Sequence, residues 1–259
     1  MRIGMFVGPF VEAAAIHQCG LTGAYGVGIA ALAVAAVVAG RMPDLEASAA
    51  EADVATPLPL PPAPTLLSIL RDHRHVFVTL GIGVMLVSAV RATRQAVIPL
   101  WADHLALAPA VASLIYGVAG GIDMLVFYPA GKVMDEKGRR WVAVPSMVIM
   151  GVALLLTPFT HGASTLLLAA AVIGFGNGIG SGMVMTLGAD HSPRPGRAHF
   201  LGVWRLMSDI GSSCGPALSF LAATLSLGAG IAVTGLIAFA AAAQLAYWIP
   251  RAHDRRPLR

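Results

Sequence analysis

Two arginines and a glutamine, Arg91, Arg94 and Gln95, stand in the otherwise apolar stretch "SAVRATRQAV". A charge inside an apolar segment is costly and normally faces a cavity or an opposite charge. On a helix Arg91 shares a face with Gln95 by i,i+4 spacing and with Arg94 by i,i+3. Such a cluster can bind an anionic group or neutralise a gating acid; the third option is that one arginine snorkels to the outer interface. Three acids also sit within apolar stretches: Glu12, Asp123 and Asp209. Arg205 precedes Asp209 by four residues, so the two either form a local ion pair or leave Asp209 to carry a proton. Asp123 lies twelve residues before Asp135 and is expected to receive Arg139, Arg140 or another donor from the charged stretch that follows it. Glu12 is a candidate coupling acid. Asn177, within "GFGNGIGSGMVM", either contacts a solute or bonds a neighbouring helix.

Charge is concentrated in "PAGKVMDEKGRRW", where five of the six positions from Asp135 to Arg140 are charged in a chain only 12% charged. Gly131 and Gly138 are expected to allow close backbone approach and a tight turn. Asp135 can cap a helix or accept from a neighbour, and Arg139 and Arg140 can pair with an acid or with lipid headgroups. The glycines from Gly174 to Gly182 alternate with other residues, a spacing of two that mimics a strand or a nucleotide loop. No Lys-Ser/Thr follows them, so tight packing or bending of a helix is the better reading. Cys19 and Cys214 have no partnering motif and are expected to be small buried residues. Neither a metal set nor a Ser-His-Asp arrangement is recognisable.

The elements holding these residues are read from hydropathy. The chain has 259 residues, 57% of them hydrophobic. Eight apolar segments run over about 3–18, 22–40, 75–100, 109–130, 141–158, 163–189, 199–224 and 228–249. Segments near 20 residues cross a bilayer, and a lipid-embedded backbone must satisfy its own hydrogen bonds, so the expected fold is an all-α membrane protein with eight transmembrane helices. The Pro- and Ala-rich stretch 41–74 is expected to be a cytoplasmic linker, extended around Pro57–Pro64, with a surface helix starting at Thr65–Leu70. Residues 1–40 then hold two spans, 75–250 hold six, and 251–259 form a tail.

The 17 Lys+Arg outnumber the 13 Asp+Glu. They lie in short spacers, not on one aromatic-studded surface, which argues against nucleic-acid binding. The spacers near 19–21, 101–108, 159–162 and 225–227 hold no Lys or Arg, while the alternate spacers hold nearly all of them. By the positive-inside rule both termini are expected to be cytoplasmic, in a multi-pass protein of the cell's inner (plasma) membrane. Trp101, Trp141, Trp204 and Trp248 are expected to form interfacial belts.

The pattern G-x-x-x-D-x-x-G-R-R, here Gly131, Asp135, Gly138, Arg139 and Arg140, resembles the loop signature of the major facilitator superfamily. There it joins the second and third helices of each six-helix half and implies a conformational gate, to which Asp123 is added. A second pattern, I-G-x-x-x-G-P, occurs twice, with Gly4, Gly8 and Pro9 and again 207 residues later with Gly211, Gly215 and Pro216. It resembles a helix-packing motif of the family's proton-coupled antiporters. The resemblance implies that the eight spans correspond to helices 5–12 of a twelve-helix fold. Helices one to four are then expected to be missing through a misassigned start, a truncated gene or a genuine eight-span design.

The function so implied is secondary active transport of a small solute, with proton-coupled efflux, no cofactor beyond the proton gradient, and no enzymatic activity. The solute or proton pathway would hold Arg91, Arg94, Gln95, Asn177, Arg205, Asp209 and Glu12. Expected partners are the solute, the bilayer and a missing N-terminal half, with oligomeric state open. The alternative is a non-transporting membrane fragment or membrane interaction protein.

Overall fold

The computed structural model describes residues 2–41, 65–193, 196–224 and 226–254. Most of the expected linker (42–64), the last five residues and Arg194 lie outside them, as do the surroundings of Gly4, Pro9 and Cys19. Every regular element among the described residues is helical. The helices are α1 (Arg2–Cys19), α2 (Leu21–Arg41), α3 (Leu66–Asp72), α4 (Arg74–His104), α5 (Pro109–Lys137), α6 (Arg140–Leu156), α7 (Ala163–Ile179), α8 (Met183–His191), α9 (Arg197–Ala223) and α10 (Leu227–Asp254). Five stretches are long and apolar enough to cross a membrane: α4, α5, α6 with its terminal 3-10 turn, α7 with α8, and α10. At about 1.5 Å per residue, the 29 residues of α5 extend about 43 Å, more than the hydrocarbon thickness of about 30 Å.

Local chemistry sets the helix ends. Thr65 caps α3, its hydroxyl accepting from the Ser68 N–H at 3.4 Å. Pro109 opens α5, where its missing N–H costs nothing. Thr165 Oγ1 accepts from the N–H groups of His161 and Gly162 at the start of α7. The expected charged loop is mostly helix. Gly131, Lys132 and Asp135 lie in the last turns of α5, because nothing interrupts the helix until Gly138 adopts φ +93°. Only Gly138 and Arg139 connect α5 to α6. The sixth apolar segment, expected as one span over about 163–189, is likewise broken, between α7 and α8, where Gly182 adopts φ +88°.

Packing follows small residues. Gly174 and Gly178 face α5, and a Cβ at either would strike the Ala119 or Asp123 carbonyl. Gly176 and Gly180 face α6, where a Cβ would meet Met150 or the Ser146 hydroxyl. The strand-like spacing of two is therefore two interleaved small-xxx-small faces on one helix. Gly211 and Gly215 do the same for α9 on α4, against the carbonyls of Met85 and Ala89. Around these contacts Met147, Met150, Leu154, Ile173, Ile231 and Leu245 are fully buried.

Three expectations fail on packing grounds. Trp101 and Trp204 belong to the core and not to an interfacial belt; Trp101 donates to Thr160 Oγ1 at 2.7 Å and Trp204 to the Val184 carbonyl at 2.8 Å. Trp141 is exposed, in keeping with a belt position. Cys214 is exposed, being directed away from the face on which Gly211 and Gly215 meet α4. Gly131 has no close neighbour among the described atoms, so it provides no close approach.

Candidate transport site

The small-residue contacts bring α4, α5 and α7 close enough for short polar side chains to meet. Gly178, against the backbone of Asp123, sets Asn177 beside the Asp123 side chain. Asn177 Nδ2 donates to Asp123 Oδ2 at 2.8 Å, and its Oδ1 accepts from Arg91 Nε at 2.8 Å. Arg94 Nη2 lies 3.6 Å from the same Asp123 oxygen, and both side chains are nearly buried. Arg91 also donates to the Asn177 carbonyl at 3.1 Å, the Gly180 carbonyl at 3.2 Å and Ser181 Oγ at 3.2 Å. These carbonyls are available because the α7 ladder ends at Gly180. The helix break thus has an electrostatic partner: the guanidinium of Arg91 sits on the buried C-terminal end of α7, where a cation is favoured.

Asp123 does not meet the charged connection, contrary to expectation. It pairs with Arg94 and Asn177, because it faces α4 and α7 more than a turn before the end of α5. The two arginines, three residues apart, have different roles. Arg94 turns to a buried carboxylate, whereas Arg91 makes hydrogen bonds to neutral oxygens and borders a cavity.

That cavity, of about 380 Å³, lies between α4, the start of α8 and α9. Arg91, Gln95, Arg205, Ser88, Ser208 and Ser212 supply its polar lining. Ser88 and Ser208 are joined at 2.8 Å across the α4–α9 contact that Gly211 and Gly215 make possible. Arg205 Nε meets both carboxylate oxygens of Asp209, at 3.0 and 3.1 Å. Their side chains remain 62% and 54% exposed. An ion pair this exposed, within a helix running alongside apolar spans, cannot rest against lipid tails without a large penalty. This face therefore meets water or a polar surface.

At one end of the bundle the second group assembles. Arg139 Nε donates to Asp190 Oδ2 at 2.9 Å, and Nη1 donates to the Met134 carbonyl at 3.0 Å and to Asp135 Oδ1 at 3.2 Å. The hydrogen bond to Asp190 holds the Arg139 guanidinium above its ordinary range, against the opposing effect of partial burial, with Asp135 adding to the rise. Arg139 is consequently charged at every physiological pH. Arg140 is exposed. The connection thus ties the ends of α5 and α8 together through one arginine, not two.

Asp190 was not legible as a partner: it lies 51 residues from Arg139, in a stretch with no motif. Ser181 and the cavity serines were equally silent, since serine in an apolar run carries no signature. Glu12 lies exposed on α1, and the structure does not bring it into the Arg91–Asp123 cluster. Gly8 sits within α1 with no described atom within 4 Å of an added Cβ.

Five apolar helical stretches of bilayer length, with buried polar side chains linking three of them, define an integral membrane protein. The family model of the Major Facilitator Superfamily matches residues 80–259, and the chain belongs to that family. No curated protein sequence matches the chain.

Proposed function

We propose that the protein performs secondary active transport of a small solute, coupled to the proton gradient and directed to efflux. The reading places eight spans in the inner membrane with both termini cytoplasmic, following the distribution of basic residues. One observation carries it: the linked side chains of Arg91, Asn177, Asp123 and Arg94 join three apolar helices beside a polar cavity. Ionisable residues at such depth are expensive and mark solute or ion pathways. The Arg139–Asp190–Asp135 group acts as the gate: it holds α5 and α8 at one end and must open for the bundle to rock.

Proton coupling falls to Asp209, which is accessible and whose proton competes with the Arg205 guanidinium for the same two oxygens. The test is reconstitution in sealed vesicles with an imposed pH gradient, following internal pH while solutes are supplied. Solute-dependent proton movement is expected, and Asp209→Asn should leave solute flux that ignores the gradient. Absence of any solute-dependent flux overturns the transport reading; gradient-dependent flux unchanged in Asp209→Asn removes Asp209 from coupling.

A further inference from the structure

We propose that the end of the bundle where α3, α9 and α10 meet is a binding surface for anionic phospholipid, with arginines holding the headgroup phosphate and the leucines of α3 set among the acyl chains. The inference goes beyond the transport reading and does not rest on it. It needs only that the helices cross a bilayer. Three observations carry it.

First, α3 is built to lie at a bilayer boundary. Its seven residues are too few to span, and it directly precedes the span that begins at Arg74. Ile69 is buried in the core, whereas Leu66, Leu67 and Leu70 are 48%, 77% and 37% exposed. Leu67 shares a face with Leu70 and Arg71 by i,i+3 and i,i+4 spacing. Apolar side chains beside a cation on a short surface helix suit the headgroup–acyl boundary, where each half of the helix meets its own solvent.

Second, two ring contacts gather arginines at this end. His73 meets Phe200 edge-on at 5.4 Å, joining the end of α3 to α9, and His75 meets Trp248 at 5.5 Å, joining the start of α4 to α10. Arg71, Arg74, Arg197 and Arg251 each stand within a turn of one of these rings, and all four are exposed. Arg74 and Arg251 are the terminal residues of their spans, which places both at the same boundary. None of the four forms an ion pair among the described residues. Asp72 is the described carboxylate standing among them, so positive charge dominates.

Third, one of these guanidinium groups is already held in place. Arg251 lies over the Tyr247 ring, 3.6 Å from its centroid, and donates to the Tyr247 carbonyl at 2.8 Å. Its remaining N–H groups present a planar fork of the kind that binds phosphate oxygens. A phospholipid supplies both the anion and the apolar body that the exposed leucines require. A second copy of the chain would bring the same cations and be repelled. The acids of the linker, Asp44, Glu46, Glu51 and Asp53, could meet the arginines but would leave the leucines uncovered.

The experiment uses the full chain in detergent micelles and native mass spectrometry during titration with phosphatidylglycerol or phosphatidylcholine of the same acyl chains. Phosphatidylglycerol is expected to bind about ten-fold tighter or more. Arg74→Gln and Arg251→Gln should each reduce that preference about five-fold, and the two together should remove it. Lys137→Gln, an exposed cation on the α5–α6 connection, should leave it unchanged. Leu67→Ser should weaken both lipids alike. The substituted side chains are exposed, so the fold is expected to persist, and cooperative melting at the wild-type temperature verifies this. Equal affinity for the two lipids overturns the inference, as does a preference unmoved by the double variant or lost equally in Lys137→Gln. Competition by free glycerol phosphate as strong as by the intact lipid shows an anion site without a lipid and overturns it too. A preference that emerges only after the four linker acids are neutralised assigns the arginines to the linker and removes the lipid. Failure of solute flux in vesicles leaves this surface standing, and its own failure leaves transport untouched.

Discussion

The same seven-residue pattern occurs at the start of α1 and within α9, yet its two copies have different surroundings. In α9, Gly215 lies so close to the Ala89 carbonyl of α4 that any side chain would collide with it. In α1, the equivalent Gly8 faces open space among the described atoms. The acids differ in parallel: Asp123 in α5 is held by Arg94 and Asn177, whereas Glu12 in α1 is exposed. A small-xxx-small pattern permits close approach but does not create it; a helix of matching shape must lie opposite. Between α9 and α4, and between α7 and α5, that partner exists, and the polar cluster follows from the second contact.

Substitutions can widen or erase this contrast. The largest effect is expected for Asp123→Ala, which strands the nearly buried Arg94 and should cost about 3–5 kcal/mol of stability. Glu12→Ala should change stability by less than about 0.5 kcal/mol. The double replacement Arg94→Leu with Asp123→Leu should be milder than Asp123→Ala, because no buried charge is left alone. Reversible unfolding in detergent measures all of these, and equal losses at Asp123 and Glu12 would erase the contrast.

A smaller effect is expected at the glycines. Gly215→Ala should cost about 1–3 kcal/mol through overpacking against backbone, which cannot move aside as a side chain can. Gly8→Ala should be neutral or gain up to about 1 kcal/mol from helix propensity. Similar melting of the two variants would show that the copies are equivalent after all. Smallest of all is the stability effect of Asp209→Asn, at most about 1 kcal/mol, because an exposed ion pair contributes little even where it matters for coupling.

The helices were legible because apolar runs near bilayer length leave the backbone few alternatives. Their ends were less so. The charge around Gly131 and Asp135 resembles a connection, whereas the helix stops only where Gly138 turns to positive φ. The glycine alternation of α7 pointed to packing, but a sequence does not say that alternate glycines meet two different helices. Arg91, Arg94 and Asn177 stood out as polar residues in apolar surroundings. Their partners did not, since Asn177 is 86 residues from Arg91 and 54 from Asp123, and such contacts are set by helix packing and not by local pattern. The pairing of Arg205 with Asp209 was legible because it is a single helical turn.

The central claim is that the apolar helices cross a bilayer and separate the charged α5–α6 connection from the stretch 101–108 at the end of α4, which holds no Lys or Arg. Single thiols placed at Lys137 and at Asp103, in a background with Cys19 and Cys214 replaced, test it with a membrane-impermeant maleimide applied to sealed vesicles of defined orientation. Both sites are exposed, so reactivity reports sidedness and not burial. The account predicts that Lys137→Cys is labelled from the cytoplasmic side alone and Asp103→Cys from the opposite side alone. Labelling of both from one compartment would contradict it.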